Sequence, residues 1–203
     1  MRLYIRLTFM TWGNSTIDAF REHIGGAKHP IAGGVAVAAV SASFGMSLVA
    51  LTLEITSRRK NFSGDRTRLK ALLGAARKES ASLMRCADQD VTAYQKYRDS
   101  LRHKRGGDRA LRRIIESPMK AAASAVQGLD AAAEAVLFVP QSVRSDLSAA
   151  ATLVAGAVSA ILLNVDVNLR QLPAANQLRR KGVKARRELE KRSSRQLDRV
   201  LSR

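Results

Sequence analysis

Two long runs without a charged residue constrain the fold of this chain more than any other feature. Residues 31–53 and 147–165 contain no Asp, Glu, Lys or Arg, and their lengths, 23 and 19 residues, would allow membrane-spanning helices. Both runs are rich in Ala, and the first has no Trp or Tyr at its ends, where membrane helices often carry aromatic anchors. A helix that is apolar all round also suits the centre of a bundle or a subunit interface. The sequence therefore predicts two buried central helices, with membrane insertion as the less favoured alternative.

The rest of the chain predicts further helices and no strand. A short helix begins after the capping sequence at residues 14–16 and ends at Gly25 and Gly26. From residue 66 to about 102, apolar side chains recur at spacings of three and four, as one face of a long helix requires. Another helix is predicted over residues 108–138, where Pro118 should kink or restart it. These helices predict an all-α fold, an up-and-down bundle with two buried central helices that dimerises through helices.

The charge balance is strongly basic. Lys and Arg number 35 against 17 Asp and Glu, which gives a net charge of +18. Such a surface attracts nucleic acid, acidic lipid or an anionic small molecule, although solubility alone would also account for it. Residues 176–203, with eleven basic and three acidic side chains, predict a basic C-terminal helix that packs on the same domain. That domain is expected over residues 14–175, after an N-terminal extension at 1–13.

Cysteine and histidine usage narrows the kind of site. The single cysteine, Cys86, excludes an intramolecular disulfide and fits a reducing cytosol, so a cytoplasmic location is expected. The three histidines are scattered and no CxxC or HExxH motif exists, so no metal site is predicted.

Polar groups on otherwise apolar helices are the candidate site residues. Asp88 and Asp90 lie two residues apart, which turns their side chains about 200° from each other on a helix, so only one can face a given pocket. Asn164 and Asn168 are four residues apart and share one face, and buried amides need partners. The structural alternatives are solvated carboxylates and a hydrogen bond between helices.

Two further features lie at predicted helix starts. Gly33 and Gly34 could present backbone N–H groups to an anion, or could simply permit a turn. Ser145 and Asp146 precede the second apolar run, where capping is the plain interpretation of an Asp.

Several short stretches, taken together, resemble a known family. They are PIAGGVAVAA at 30–39, TSRRKNF at 56–62, DQDVTAY at 88–94, SDL at 145–147 and LNVDVNL at 163–169. In this order and spacing the chain, from about residue 15 to 172, is similar to the family that contains methenyltetrahydrofolate cyclohydrolases and the C-terminal domain of formiminotransferase-cyclodeaminase.

The resemblance implies an all-helical subunit that forms a homodimer, with a tetrahydrofolate derivative bound as substrate at a helix interface and no metal. It implies that Asp90, the second carboxylate of the D-x-D-x-x-A-[FY] motif, is the general acid/base, with Asp88 and Asp146 as the other candidate catalytic carboxylates. The implied substrate-binding residues are Gly33, Gly34, Arg59, Lys60, Ser145, Asn164 and Asn168. A carboxylate can take the N10 proton, protonate the leaving ammonia and stabilise the cationic methenyl product.

The chain departs from the family at the loop expected to shape the ligand. The family's P-G-G-G-S turn is Ala32-Gly33-Gly34-Val35-Ala36 here, and its G-N-x-N stretch is replaced over residues 139–144. We hypothesise that the scaffold and the acid/base remain while the substrate has changed. The alternatives are a relative that cyclises another amine or imine, and a non-catalytic basic helical protein that binds nucleic acid or acidic partners. Nucleic acid ranks below the folate-like ligand as a partner, and a membrane ranks last.

Overall fold

The computed structural model describes residues 11–203, and over this range the chain contains only helices and their connections. The six α-helices are α1 (Ile17–Gly25), α2 (Gly34–Ser57), α3 (Arg66–His103), α4 (Gly107–Ala135), α5 (Arg144–Arg170) and α6 (Gln177–Leu201). Single 3₁₀ turns lie at Trp12–Asn14 and Gln141–Val143. The all-helical prediction is confirmed. Most of the predicted N-terminal extension, residues 1–10, lies outside the described range.

Helix starts follow local capping chemistry. The Thr16 hydroxyl accepts a hydrogen bond from the Ala19 N–H at α1, and the Asp65 carboxylate accepts one from the Arg68 N–H at α3. These contacts satisfy backbone donors that have no partner inside the helix. One expectation differs: α4 does not restart at Pro118 but continues through it. The proline occupies a buried position in the helix and lacks an N–H, so the carbonyl four residues earlier, that of Ile114, is left available.

Helices α2 and α5 lie antiparallel and in direct contact. A Cβ atom at Gly34 would meet Asn164 Nδ2 at 3.2 Å, and one at Gly45 would come within 2.6 Å of Val154 Cγ2. Gly45 therefore allows α2 and α5 to approach closely, and a larger residue there would push the two helices apart. These two contacts fix the register: the start of α2 lies beside the end of α5, and the end of α2 lies beside the start of α5.

One side of α2 and α5 forms the core with α3 and α4. Met46, Leu53, Leu83, Leu129 and Leu162 are almost fully buried there. The other side of α2 and α5 is not covered by any described residue: Phe44 is 52% exposed, Leu51 48%, Leu153 50% and Leu163 64%. Both helices are long and apolar enough to cross a membrane, and about half of the apolar stretch of each is buried within the chain. A single chain thus covers only one side of each helix.

Helix α6 packs over α4 and α5. Val200 is buried in the core cluster, and Gly182 lies so close to α5 that a Cβ atom there would come within 2.6 Å of the Leu169 side chain. Arg192 and Gln196 both donate to the Asp130 carboxylate of α4. The last helix is therefore held by apolar contact and by charged hydrogen bonds.

Candidate functional site

A cavity of about 230 Å³ lies where the start of α2, the middle of α3 and the end of α5 converge. It brings together five of the residues selected from the sequence: Gly33, Gly34, Asp90, Asn164 and Asn168. Ile31, Val35, Tyr94 and Ile114 complete its lining. The helical period predicts that the two asparagines share a face, and the structure places both of them on this cavity.

Asp90 is the ionisable group of the cavity. It is partly buried among apolar side chains, and this burial raises the pKa of its carboxyl from 3.8 to about 7. No described side chain pairs with it in an ion pair or a hydrogen bond. The shift is caused by desolvation, which disfavours the charged form. A carboxyl that titrates near neutral pH can both accept and donate a proton, as a general acid/base must.

Both asparagines are oriented by bonds from their amide nitrogens. Asn164 Nδ2 donates to its own helix at the Ala160 carbonyl, 3.1 Å away. Asn168 Nδ2 donates across to the Ile114 carbonyl at 2.8 Å, the acceptor that Pro118 leaves free. No described residue donates a hydrogen bond to the Asn164 side-chain oxygen. Asn164 therefore keeps a free acceptor in a residue that lines the same cavity as Asp90.

Gly34 sets how closely α2 approaches this amide. Its hypothetical Cβ at 3.2 Å from Asn164 Nδ2 would require the amide to move by a few tenths of an ångström. Gly34 is the first residue of α2, and Gly33 precedes it without a side-chain cap. The first N–H groups of a helix have no partner inside it and favour negative charge nearby. The glycine pair thus opens the helix start to a ligand.

Asp88 faces another direction. Its Oδ1 accepts a hydrogen bond from the Trp12 backbone N–H at 2.9 Å. Trp12 stacks edge-on against His23, and a His23 ring nitrogen lies 2.7 Å from the Pro30 carbonyl oxygen. Asp88 does not line the Asp90 cavity, in agreement with the 200° separation expected from the helical period. Its observed contact anchors the N-terminal segment beside the loop that leads into α2.

The remaining selected residues lie at the opposite end of the bundle. Arg59 and Lys60 follow the end of α2, and Ser145 and Asp146 form the first turn of α5. At 1.5 Å per residue, the 24 residues of α2 separate its two ends by about 36 Å. Within one chain the structure does not bring these four residues to Asp90.

A second cavity, also of about 230 Å³, adjoins the first and shares Ile31 and Tyr94 with it. Its lining includes Arg98 and Arg102, which sequence reasoning missed. Asp90, Tyr94, Arg98 and Arg102 follow one another at intervals of four on α3, so they form one row along the helix. That spacing was the available signal. One end of the row is the Asp90 carboxyl, which can be protonated near neutral pH, and the other end carries the guanidinium groups of Arg98 and Arg102.

Within residues 11–203, no group of three or more His, Cys, Asp or Glu side chains is arranged to hold a metal ion. Cys86 is buried, and desolvation raises the pKa of its thiol, which makes it a poor nucleophile.

Comparison with known proteins identifies the family. The family model for formiminotransferase-cyclodeaminase matches residues 16–187. Among solved structures, the chain is similar to a formiminotetrahydrofolate cyclodeaminase from Thermotoga maritima, with 20% sequence identity and a TM-score of 0.87 over 93% of this chain and 94% of that one. No curated protein matches the chain. The structural likeness supports the all-helical fold, and the family model covers most of the sequence. The chain therefore belongs to the formiminotransferase-cyclodeaminase family.

Proposed function

We propose that this protein is a folate-type one-carbon enzyme that closes or opens the ring between N5 and N10 of a tetrahydrofolate derivative, with Asp90 as the general acid/base. The observation that carries the proposal is the Asp90 carboxyl, whose pKa is raised to about 7 in a cavity that it shares with Asn164 and Asn168. Family membership supports the reaction class, and we expect the protein to act in the cytoplasm.

Both directions of the chemistry use the same groups. In cyclodeamination, N10 attacks the carbon of the protonated formimino group, the Asp90 carboxylate takes the N10 proton, and the resulting acid protonates the nitrogen that leaves as ammonia. In cyclohydrolase action, the carboxylate removes a proton from the water that attacks the methenyl carbon. The resulting acid then protonates one ring nitrogen, the bond from that nitrogen to the carbon breaks, and the remaining hydroxyl proton is lost to solvent as the formyl group forms. In either case the carboxylate and the amide oxygens face a cation, which they stabilise.

The uncovered face of α2 and α5 supports a homodimer. Exposed Phe44, Leu51, Leu153 and Leu163 form an apolar surface on adjacent helices, and large exposed apolar patches mark interaction sites. We infer that a second copy covers this surface about a two-fold axis perpendicular to α2. Such an axis runs the two α2 helices antiparallel, so the end of one α2 lies near the start of the other.

This dimer would bring the site residues predicted from the sequence close together. Arg59, Lys60, Ser145 and Asp146 of one copy would approach the Asp90 cavity of the other. The site would then draw its acid/base and amides from one chain and its second set of polar groups from its partner. On this view the two central helices are central to the dimer rather than to the single chain.

The glutamate tail of folate has two candidate anchors. Arg98 and Arg102 adjoin the cavity within one chain, whereas Arg59 and Lys60 reach it only from a second copy. Guanidinium groups bind carboxylates with paired hydrogen bonds. We favour the α3 pair, since it adjoins the cavity within one chain and does not depend on the proposed dimer.

Turnover measured in two variants tests the proposal. Purified protein is mixed with formimino- or methenyl-tetrahydrofolate, and the methenyl absorbance is followed. Asp90→Asn should reduce the rate at least about 100-fold, as loss of a general acid/base does. Asp88→Asn, on the other face of α3 and still able to accept the Trp12 N–H bond, is the matched control and should change the rate by no more than a few-fold. Equal rates for Asp90→Asn and the unaltered protein would refute the role of Asp90.

A further inference from the structure

Helix α6 carries a row of basic residues on its outward side. The row consists of Arg180, Lys184, Arg187, Lys191 and Arg195, all exposed, and we call it the outer stripe. Spacings of three and four keep these side chains on one side of the helix. From the first to the last, the stripe extends about 22 Å at 1.5 Å per residue.

Other basic residues of α6 are used to hold the helix in place. Arg186 lies 3.2 Å from the Asp166 carboxylate of α5 and 2.8 Å from Glu190. Arg192 forms an ion pair with Asp130 of α4. Asp166 and Asp130, on the helices next to α6, thus form ion pairs with basic residues that lie outside the outer stripe.

The outer stripe has no such partners. None of its five residues forms an ion pair with any residue in the range 11–203, and the one hydrogen bond in which it takes part runs from Arg180 to the Ala175 carbonyl. Glu188 beside the stripe and Asp198 beyond its end also form no ion pair with it. Docking of α6 therefore does not explain these charges, and neither does the Asp90 cavity, which they do not line.

We propose that the outer stripe binds the phosphate backbone of nucleic acid, as a surface separate from the Asp90 cavity. A duplex carries one negative charge per about 1.7 Å of axis, so a straight 22 Å row of cations lies over several phosphates at once. Three of the five residues are Arg, whose planar guanidinium matches phosphate oxygens in pairs. The proposed contacts go to phosphate oxygens, which carry no sequence information directly, so binding is independent of sequence.

The packing of α6 argues against a membrane as the partner. A helix that lies on a membrane inserts an apolar face into the lipid. In α6 the apolar side chains Leu178, Val183, Leu189 and Leu197 pack against the core. Apart from Ala185 and the terminal Leu201, the exposed side chains of α6 are charged or polar, which suits phosphates but leaves no apolar face to insert into lipid.

The test uses the full chain, a fluorescent 20-base-pair duplex and a series of salt concentrations. Five phosphate contacts predict a slope of log K against log salt of about −4.5, which is an affinity loss of about 500-fold between 50 and 200 mM. The triple change Lys184→Gln, Arg187→Gln, Lys191→Gln should reduce the slope to about −2 and the loss to about 12-fold. The matched control, Lys70→Gln, Lys78→Gln, Arg85→Gln, removes three exposed charges from α3 and should leave the slope unchanged.

Circular dichroism of each variant checks that the helices remain folded. Equal effects of the two triple changes would overturn the proposal in favour of diffuse attraction by net charge. No binding of the duplex at 50 mM salt would overturn it as well, and so would stripe-dependent binding to vesicles of anionic lipid without binding to the duplex. These outcomes do not depend on folate turnover, so they leave the proposed function untouched.

Discussion

The two ends of the bundle differ although the family motifs mark both. At the end where α2 starts, Asp90, Asn164 and Asn168 line one cavity, and burial raises the pKa of the Asp90 carboxyl to about 7. At the end where α2 stops, Arg59 and Lys60 lie exposed in the connection to α3. The first end holds a carboxyl that can exchange a proton near neutral pH, and the second holds polar groups that do not line the Asp90 cavity.

On the proposed dimer, the difference means that one chain contributes two half-sites rather than one complete site. The 36 Å length of α2 keeps the two sets of residues apart within the chain. The apolar face that α2 and α5 leave uncovered is the surface through which a second copy could bring opposite ends together.

Mixed dimers give the largest expected effect. Asp90→Asn and Asp146→Asn, each alone, should have about one hundredth of the normal turnover. Co-expressed with different tags and purified through both, they should recover about half of it, because every dimer is then mixed and holds one intact site of two. Turnover of the co-purified protein measures this. A mixture as inactive as its components would place all the catalytic residues in one chain.

Stability as a function of pH tests the buried end. The folded pKa of Asp90 is raised, so the folded state holds its proton at pH values where the unfolded chain has lost it, and stability falls as pH rises from about 4 to 7. Asp90→Asn removes the titrating carboxyl and with it this loss of stability at higher pH. Relative to the unaltered protein, the variant should gain about 2 to 3 kcal/mol between pH 5 and pH 8.

Urea unfolding at the two pH values measures the gain. Asp146→Asn at the other end is the control: this residue does not line the Asp90 cavity, and its replacement should show no comparable pH-dependent gain. If the two variants behaved alike, the contrast between the ends would be wrong.

Substrate affinity decides which end holds the folate tail, and here the expected effect is smallest. Arg98→Gln with Arg102→Gln should raise KM about tenfold, the loss of one charged hydrogen bond, and leave kcat nearly unchanged. A folate analogue without the glutamate carboxylates should be bound equally by both proteins. The matched pair, Arg59→Gln with Lys60→Gln, should raise KM less. The reverse order would assign the tail to the second copy.

Much of the fold could be predicted because it depends on short-range rules. Capping residues and glycines predict the bounds of α1, and helical periodicity predicts those of α3, to within a residue or two. The same period predicts that Asp88 and Asp90 diverge. Pro118 was the exception: α4 continues through it because the Asn168 amide from another helix satisfies the freed Ile114 carbonyl. That contact joins residues 54 apart in sequence, and no local rule reveals it.

The site was less predictable for the same reason. The resemblance selects residues but does not say which of them lie close together. Asp90 and Arg59 were therefore predicted in one site, although within one chain they lie at opposite ends of the bundle. Arg98 and Arg102 belong to no selected motif, and only the packing of Ile31 and Tyr94 shows that their cavity adjoins that of Asp90. The register between α2 and α5, fixed by close approach at Gly34 and Gly45, likewise follows from three-dimensional contact.

The row of side chains along α3 defines the length of a ligand that could contact both of its ends. Asp90 and Arg102 are twelve residues apart, which is about 18 Å along the helix axis. A molecule that reaches both must carry its reactive nitrogen and its negative charge at opposite ends of an extended body. Small anions can occupy the guanidinium end and small amines the carboxyl end, but neither can gain from both, so molecular length itself becomes a criterion of selection.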